Sequence, residues 1–288
     1  MHIDITAGSC DGKKMRKHSL ALAELILALG LISTSAPRMA AATFAGVPVS
    51  PGATVLANVP LSDLERSYVS EGGNTPPAQA VAVLAVPPGF DPAKSWPVIV
   101  VFSTSDFKHQ NRDDLVNLYR PSGLEHGWVL IAGDGPEPAR QDSSGWRAGM
   151  TLAALDALHR SFPGSDKWPI ACAGYSGGAK RAGLLAPLLS LAGNRVIGIF
   201  LTGLNEDMLS DGYRKYKPGA NFLRTPIFLS TGASDKIAQP QQQNEVRISM
   251  RRTGFARIRH ESFQYGHVVK RSHIAEALRW FRQEQGGG

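Results

Sequence analysis

The chain has 288 residues, 43% hydrophobic and 19% charged, which excludes a disordered or fibrous protein and leaves enough chain for a sizeable core. Its 31 basic and 24 acidic side chains give a formal charge of +7. The basic residues are scattered rather than gathered in a run, so a nucleic-acid partner is not expected.

The chain opens with a pattern typical of export. Met15-Arg16-Lys17-His18 is a basic start, Leu20 to Ile32 is mostly apolar, and small residues lead to Ala40-Ala41-Ala42. A basic start, a short apolar run and an Ala-x-Ala site predict a secretory signal peptide, with Met15 as an alternative start. Glu24 interrupts the apolar run, and an amphipathic N-terminal helix is the competing reading. The run is too short for a membrane span, and no cysteine follows it to carry a lipid. The expected location is therefore secreted or periplasmic, without stable membrane insertion after cleavage. Removal of residues 1–42 takes Cys10 and leaves Cys172 alone, so neither an internal disulfide nor a cysteine-based metal site is available.

Residues 43–79 are rich in Pro, Gly and Ser and read as an extended lead-in, with a short strand or helix around Leu61–Tyr68. From residue 80 to 288 apolar runs alternate with helical patterns. Ala80–Val86 reads as a strand, Pro87–Pro92 as a turn, and Pro97–Phe102 as a strand buried on both faces. Asp113–His126 is predicted helical, Trp128–Ala132 a strand, and Trp146–Ser161 a helix. Ile170–Gly174 is a short strand, followed by a helix over Gly177–Leu191 that Pro187 should bend or end. Strands over Val196–Leu201, Ile227–Thr231 and Arg257–Phe263 and a helix over Ile274–Arg282 complete the chain. Gly203–Thr225 is either a small cap or a solvated loop with one short helix. Alternating strands and helices imply right-handed crossovers, hence an α/β fold with a mostly parallel twisted sheet and helices on both faces.

One motif carries chemistry. Gly174-Tyr175-Ser176-Gly177-Gly178 sits between a short apolar strand and a helix-forming run. A sharp strand-to-helix turn lifts a serine hydroxyl above the sheet. Its close packing leaves no room for a Cβ two residues to either side, which favours glycine at 174 and 178. A serine hydroxyl is a weak nucleophile until a base takes its proton, and that base is usually a histidine oriented by a carboxylate. Asp235 follows the Ile227–Thr231 strand on a short loop, and Asp207 is its competitor. His267 precedes the last helix and follows Ser176 and Asp235 in the order Ser, Asp, His. His260 and His273 are the other histidines in that region, whereas His109 and His126 come before Ser176. Backbone N–H groups must meet the developing oxyanion. Gly177 should supply one, and the loop Ser103-Thr104-Ser105, after the Pro97–Phe102 strand, the second, with Ser103 and Thr104 as its leading candidates. Tyr175 and Trp146 are candidate pocket residues.

These features together resemble the α/β-hydrolase superfamily. Val86-Pro87-Pro88-Gly89-Phe90-Asp91 followed by Trp96-Pro97-Val98-Ile99 is similar to the opening segment of secreted esterases, including feruloyl-esterase-like and polyhydroxyalkanoate-depolymerase-like proteins. The resemblance runs from about Ala80 to Arg282. It implies an α/β-hydrolase fold with Ser176 as nucleophile, Asp235 as acid, His267 as base, a small-molecule or polymeric ester substrate, and no metal or cofactor. Many such proteins carry His-Gly where this chain has Ser103-Thr104. A peptidase using the same residues, and a non-catalytic binding protein of the same fold, are the alternatives.

Overall fold

The computed structural model describes residues 42–71, 73–104, 109–141 and 144–286; the expected signal peptide lies outside them. A two-stranded hairpin, β1 (Thr43–Phe44) and β2 (Val47–Pro48), precedes an eight-stranded sheet. The sheet strands are β3 (Thr54–Pro60), β4 (Gln79–Ala85), β5 (Val98–Phe102), β6 (Val129–Asp134), β7 (Ile170–Tyr175), β8 (Val196–Thr202), β9 (Ile227–Gly232) and β10 (Ile258–Phe263). Their order across the sheet is β10-β9-β8-β7-β5-β6-β4-β3. From β6 to β10 every pairing is parallel, and β4 runs antiparallel to both of its neighbours.

The central strands are apolar throughout because both faces are covered. Alternation divides their side chains between two cores. Val98, Val100 and Phe102 of β5 join Val129 and Ile131 of β6 on one face. Ile99, Val101, Leu130 and Ala132 occupy the other. The first face is covered by α1 (Asp63–Glu71), α4 (Ser144–Ser161), α5 (Gly177–Leu191) and α7 (Pro240–Thr253), which contribute Val69, Leu155, Leu185 and Met250 among others. The second is covered by α8 (Arg271–Gly286), through Ile274, Leu278 and Phe281, and by the helical stretch 111–125. In that stretch α2 (Asn111–Asp114) passes through a π-helical turn, Leu115–Tyr119, into α3 (Arg120–Glu125).

One expectation changes and two left open are narrowed. The segment 43–79 is more than a lead-in, because β3 within it pairs along its length with β4 and forms one edge of the sheet. Only Ala57 and Val59 of β3 are buried, so its apolar alternation is short and easily lost among small residues, and Pro60 is tolerated at an edge. Pro187 lies inside α5 without ending it. Leu184, Leu185, Leu188 and Leu189 around it are all buried, and this packing carries the helix past the missing N–H. The Gly203–Thr225 stretch forms α6 (Met208–Tyr216) and a 3-10 turn, Ala220–Arg224. α6 packs against α5: a Cβ on Gly212 would strike the Leu184 carbonyl, and one on Gly183 would come within 3.1 Å of the Leu209 nitrogen.

Candidate active site

The carboxyl ends of the parallel strands bring together loops from distant parts of the chain, the usual place for a site in an open α/β sheet. Ser176 lies between the last residue of β7 and the first of α5, at φ 55° and ψ −123°. A non-glycine residue here is strained, and strain of this kind persists only where the surroundings enforce it. They do so closely. A Cβ on Gly174 would collide with the carbonyl oxygen of Gly178, and a Cβ on Gly178 with that of Phe102. The Ser176 N–H donates to Thr202 O on β8 at 2.9 Å, and its carbonyl accepts from Ala179 N at 3.0 Å.

His267 stands between Ser176 and Asp235. Its Nε2 is 2.9 Å from Ser176 Oγ, and its Nδ1 is 2.7 Å from Asp235 Oδ2. The Asp235 side chain is 1% exposed and that of His267 13%. Asp235 is fixed on its far side, where Oδ1 accepts from the N–H groups of Ile237 (2.8 Å) and Ala238 (2.9 Å). The loops bearing Asp235 and His267 are laced together: Ala233 N donates to Phe263 O at 2.8 Å and Ser234 N to Tyr265 O at 3.0 Å. A Cβ on Gly232 would overlap the Gly266 carbonyl. This arrangement leaves Nε2 facing the serine and Nδ1 facing the carboxylate.

The competing residues have other work. Asp207 caps α6, accepting from Ser210 N at 3.0 Å. His260 Nε2 meets Thr231 Oγ1 at 2.8 Å, and that hydroxyl in turn donates to Gln243 Oε1, so the imidazole is the donor of the pair. His273 Nδ1 is 2.9 Å from the buried Ser230 Oγ. His109 pairs with Asp114 at 2.8 Å, and His126 Nε2 meets Arg279 at 3.0 Å.

Tyr175 has a partner inside the protein. Its hydroxyl donates to the His267 carbonyl at 2.5 Å, and its ring centroid is 4.9 Å from the imidazole. Burial, with the nearby charge of Asp235 as a lesser cause, pushes the phenol up to about 12. Trp146 is 8% exposed and lines a cleft with Asn74, Pro77, Pro136 and Arg140 that neither Ser176, Asp235 nor His267 borders.

The oxyanion-hole expectation needs one correction. Gly177 is the first residue of α5, so its N–H has no partner within the helix. The backbone after β5 does abut the serine turn, since a Cβ on Gly178 would lie 2.8 Å from the Ser103 carbonyl carbon. The Ser103 N–H, however, donates to Asn111 Oδ1 at 2.8 Å and is not available to a substrate. Asn111 belongs to a buried group that sequence reading overlooked. Its Nδ2 donates to Gly133 O at 2.7 Å. Asp134 accepts from the N–H groups of Asn111 (2.8 Å) and Arg112 (2.9 Å). Arg147 donates to Asn111 Oδ1 at 2.8 Å, Thr104 O at 3.2 Å and His109 O at 3.0 Å. A charged residue amid the apolar pattern of α4 was the signal available.

No family model matches the sequence, and no curated protein matches it. Solved structures do. A bacterial heroin esterase superposes with TM-score 0.56 at 16% identity, covering 80% of this chain and 84% of its own. A Pyrobaculum calidifontis esterase gives 0.55 at 12%, covering 82% and 86%. An alpha-beta serine hydrolase homologue from Coxiella burnetii gives 0.52 at 14%, covering 82% and 98%. With the strand order above, these likenesses define the fold of this chain as that of the α/β hydrolases. Among the described residues, no three His, Cys, Asp or Glu side chains are grouped to hold a metal ion, and no helix is long and apolar enough to cross a membrane.

Proposed function

We propose that the protein is a serine hydrolase that cleaves carboxylic esters through an acyl-enzyme on Ser176. The reading rests on one observation: His267 lies within hydrogen-bond reach of Ser176 Oγ on one side and of buried Asp235 on the other. In the first half-reaction Ser176 Oγ attacks the ester carbonyl carbon while His267 Nε2 takes the hydroxyl proton. The tetrahedral oxyanion is met by backbone N–H groups, Gly177 among them. Collapse expels the alcohol, which leaves with the proton held by His267. A water then gives a proton to His267 and attacks the acyl carbon, and collapse returns that proton to Ser176 as the carboxylic acid departs. Asp235 holds the imidazole tautomer and stabilises its charged form throughout.

An apolar group in the substrate is part of this reading, drawn from exposed apolar side chains next to the site residues in sequence. Ile237, Tyr265 and Val268, which flank Asp235 and His267 in sequence, are 64%, 69% and 48% exposed. Covering such side chains stabilises by about 25 cal/mol per Å² removed from water. Export, proposed from the sequence of residues 15–42, would place the reaction outside the cytoplasm. N-terminal sequencing of the protein recovered from its host checks this: a mature chain beginning near residue 43 is expected.

A fluorophosphonate probe followed by mass spectrometry tests the assignment. An adduct on Ser176 in the folded protein is expected, and a folded protein that carries none overturns the reading. Nitrophenyl esters of increasing acyl length, run beside the matching aminopeptide amides, then separate an esterase from a peptidase.

A further inference from the structure

At the edge of the sheet opposite Ser176 lies an open cleft of about 460 Å³, within the range of small-ligand sites. Trp96, Pro97, Pro169 and Ile197 form its apolar wall, and Arg195 and Arg282 border it. We propose that this cleft is a second binding site, for a small carboxylate with a planar apolar body. The proposal is independent of the serine-hydrolase reading.

The cleft is built where three parallel strands begin. Val98 of β5, Ile170 of β7 and Val196 of β8 are in register, and the residues just before them are Pro97, Pro169 and Arg195. Val98 N donates to Pro169 O at 2.8 Å, and Ile170 N to Arg195 O at 2.9 Å. Proline at 97 and 169 puts no unpaired N–H on the wall. Trp96 is held by its indole N–H, which donates to Asp91 O at 2.8 Å, and by the Phe90 ring, 5.6 Å away between centroids. A wall of prolines and a fixed indole loses little freedom when a ligand covers it. Ser176 follows the far end of β7, and the length of that strand puts about 20 Å between the two places.

The charge on the cleft is positive. Arg195 is exposed. Arg282 is anchored: its Nη2 donates to Gly127 O at 2.7 Å, and its guanidinium carbon lies 5.6 Å from the Trp128 ring centroid. Gln285, three residues further along α8 and so on the same face, adds an amide to the lining. None of the described residues that line the cleft is acidic. Glu284, which lies between Arg282 and Gln285 in sequence, is turned to Arg257 at 2.5 Å and to the Trp280 indole N–H at 3.0 Å. Two guanidinium groups beside an apolar wall match an anion that carries an apolar body: charge-assisted hydrogen bonds fix one end and the wall takes the other. α8 ends at this cleft, and the negative end of its dipole opposes an anion. That opposition is greater for a doubly charged phosphate than for a carboxylate, whose two oxygens and single charge fit a guanidinium fork.

Calorimetric titration of the whole chain with 2-naphthoate, at neutral pH and low salt, tests the site, with 2-naphthamide as the uncharged match. Saturable binding of the acid is expected with Kd on the order of 0.1 mM, and the amide should bind at least about tenfold more weakly. Arg195→Ala and Arg282→Gln should each weaken the acid about tenfold, and the two together should erase the preference for acid over amide. Absence of saturable binding, or equal binding of acid and amide by the wild type, overturns the proposal. So does naphthoate binding that either variant leaves intact, which places the acid elsewhere. 2-Naphthyl phosphate held more tightly than 2-naphthoate overturns the choice of a carboxylate. Arg195 is tied to the sheet through its backbone carbonyl, so Arg195→Ala keeps the fold. If Arg282→Gln melts early, Arg195→Ala and the acid–amide comparison decide.

Discussion

The Tyr175 hydroxyl donates to the backbone carbonyl of His267, joining the residue before the serine to the histidine that faces it. With its phenol pushed up to about 12, the donor stays protonated at neutral and mildly alkaline pH. Tyr175→Phe removes this tie and leaves the ring in place. A neutral hydrogen bond of this kind contributes about 1 kcal/mol, so kcat should fall about 5- to 10-fold with KM little changed. Steady-state kinetics check this, and a variant with full kcat would show that the tie does not hold the imidazole.

Gly203 leaves room for the same histidine and for the Tyr175 ring beside it. It adopts φ +63°, and a Cβ there would come within 2.8 Å of His267 Cε1. Gly203→Ala should push the imidazole off line with Ser176 Oγ. A displacement approaching 1 Å costs about 100-fold in rate, whereas the left-handed backbone costs an alanine about 1–2 kcal/mol. The expected result is a folded variant with kcat reduced about 100-fold, measured beside its thermal melt.

Asp235→Asn keeps the shape of the acid and removes its charge. The amide can donate to Nδ1, which would stabilise the wrong imidazole tautomer, and the imidazolium loses its counter-ion. A loss of about 10⁴ in kcat is expected at neutral pH, together with slowed fluorophosphonate labelling of Ser176. Labelling at the wild-type rate would remove Asp235 from the proposed mechanism.

Two histidines outside the site should set an acid limit on stability. Burial, chiefly, pulls His260 and His273 below the ordinary 6.5. Arg247 acts in the same direction on His260, and Lys270 and Arg259 on His273, while Glu261 opposes the shift at both and Glu276 at His273. Each of these imidazoles therefore binds fewer protons in the folded chain than in the unfolded one just below that value, and its contribution to stability falls as pH falls. The penalty is absent above the unfolded value of about 6.5 and grows until the folded pKa is passed. Urea unfolding at a series of pH values should show the free energy decline from about pH 6.5 downwards. His273→Gln should flatten that decline. An unchanged slope in the variant would assign the acid limit elsewhere.

The parts of this molecule that a sequence discloses are those determined locally. Gly174, Ser176 and Gly178 fall within five residues, and the close approaches that demand glycine are made within the turn or by the adjacent β5 backbone. The nearness of Asp235 and His267 was legible because Asp235 follows the apolar strand β9 on a short loop and His267 follows β10 at the same edge of the sheet. β3 was not, because only Ala57 and Val59 face the core and the pairing that makes it a strand lies in β4. Nor could sequence show that Ser103 N–H is spent on Asn111, or that Arg147, 43 residues from Thr104, grips that carbonyl. Those contacts depend on the sheet order that brings β5 and β6 together, and no short window of residues contains it.

The hydrogen bond between His267 and Ser176 spans 91 positions in the chain, and three strands of the sheet lie between them in sequence. Long-range contacts of this sort form late in folding, since the entropy of closing the intervening loop must be met before they contribute. Under the proposed mechanism, regain of reactivity at Ser176 during refolding therefore reports the docking of β8, β9 and β10, and should lag behind the burial of the tryptophans packed around β5 and β6.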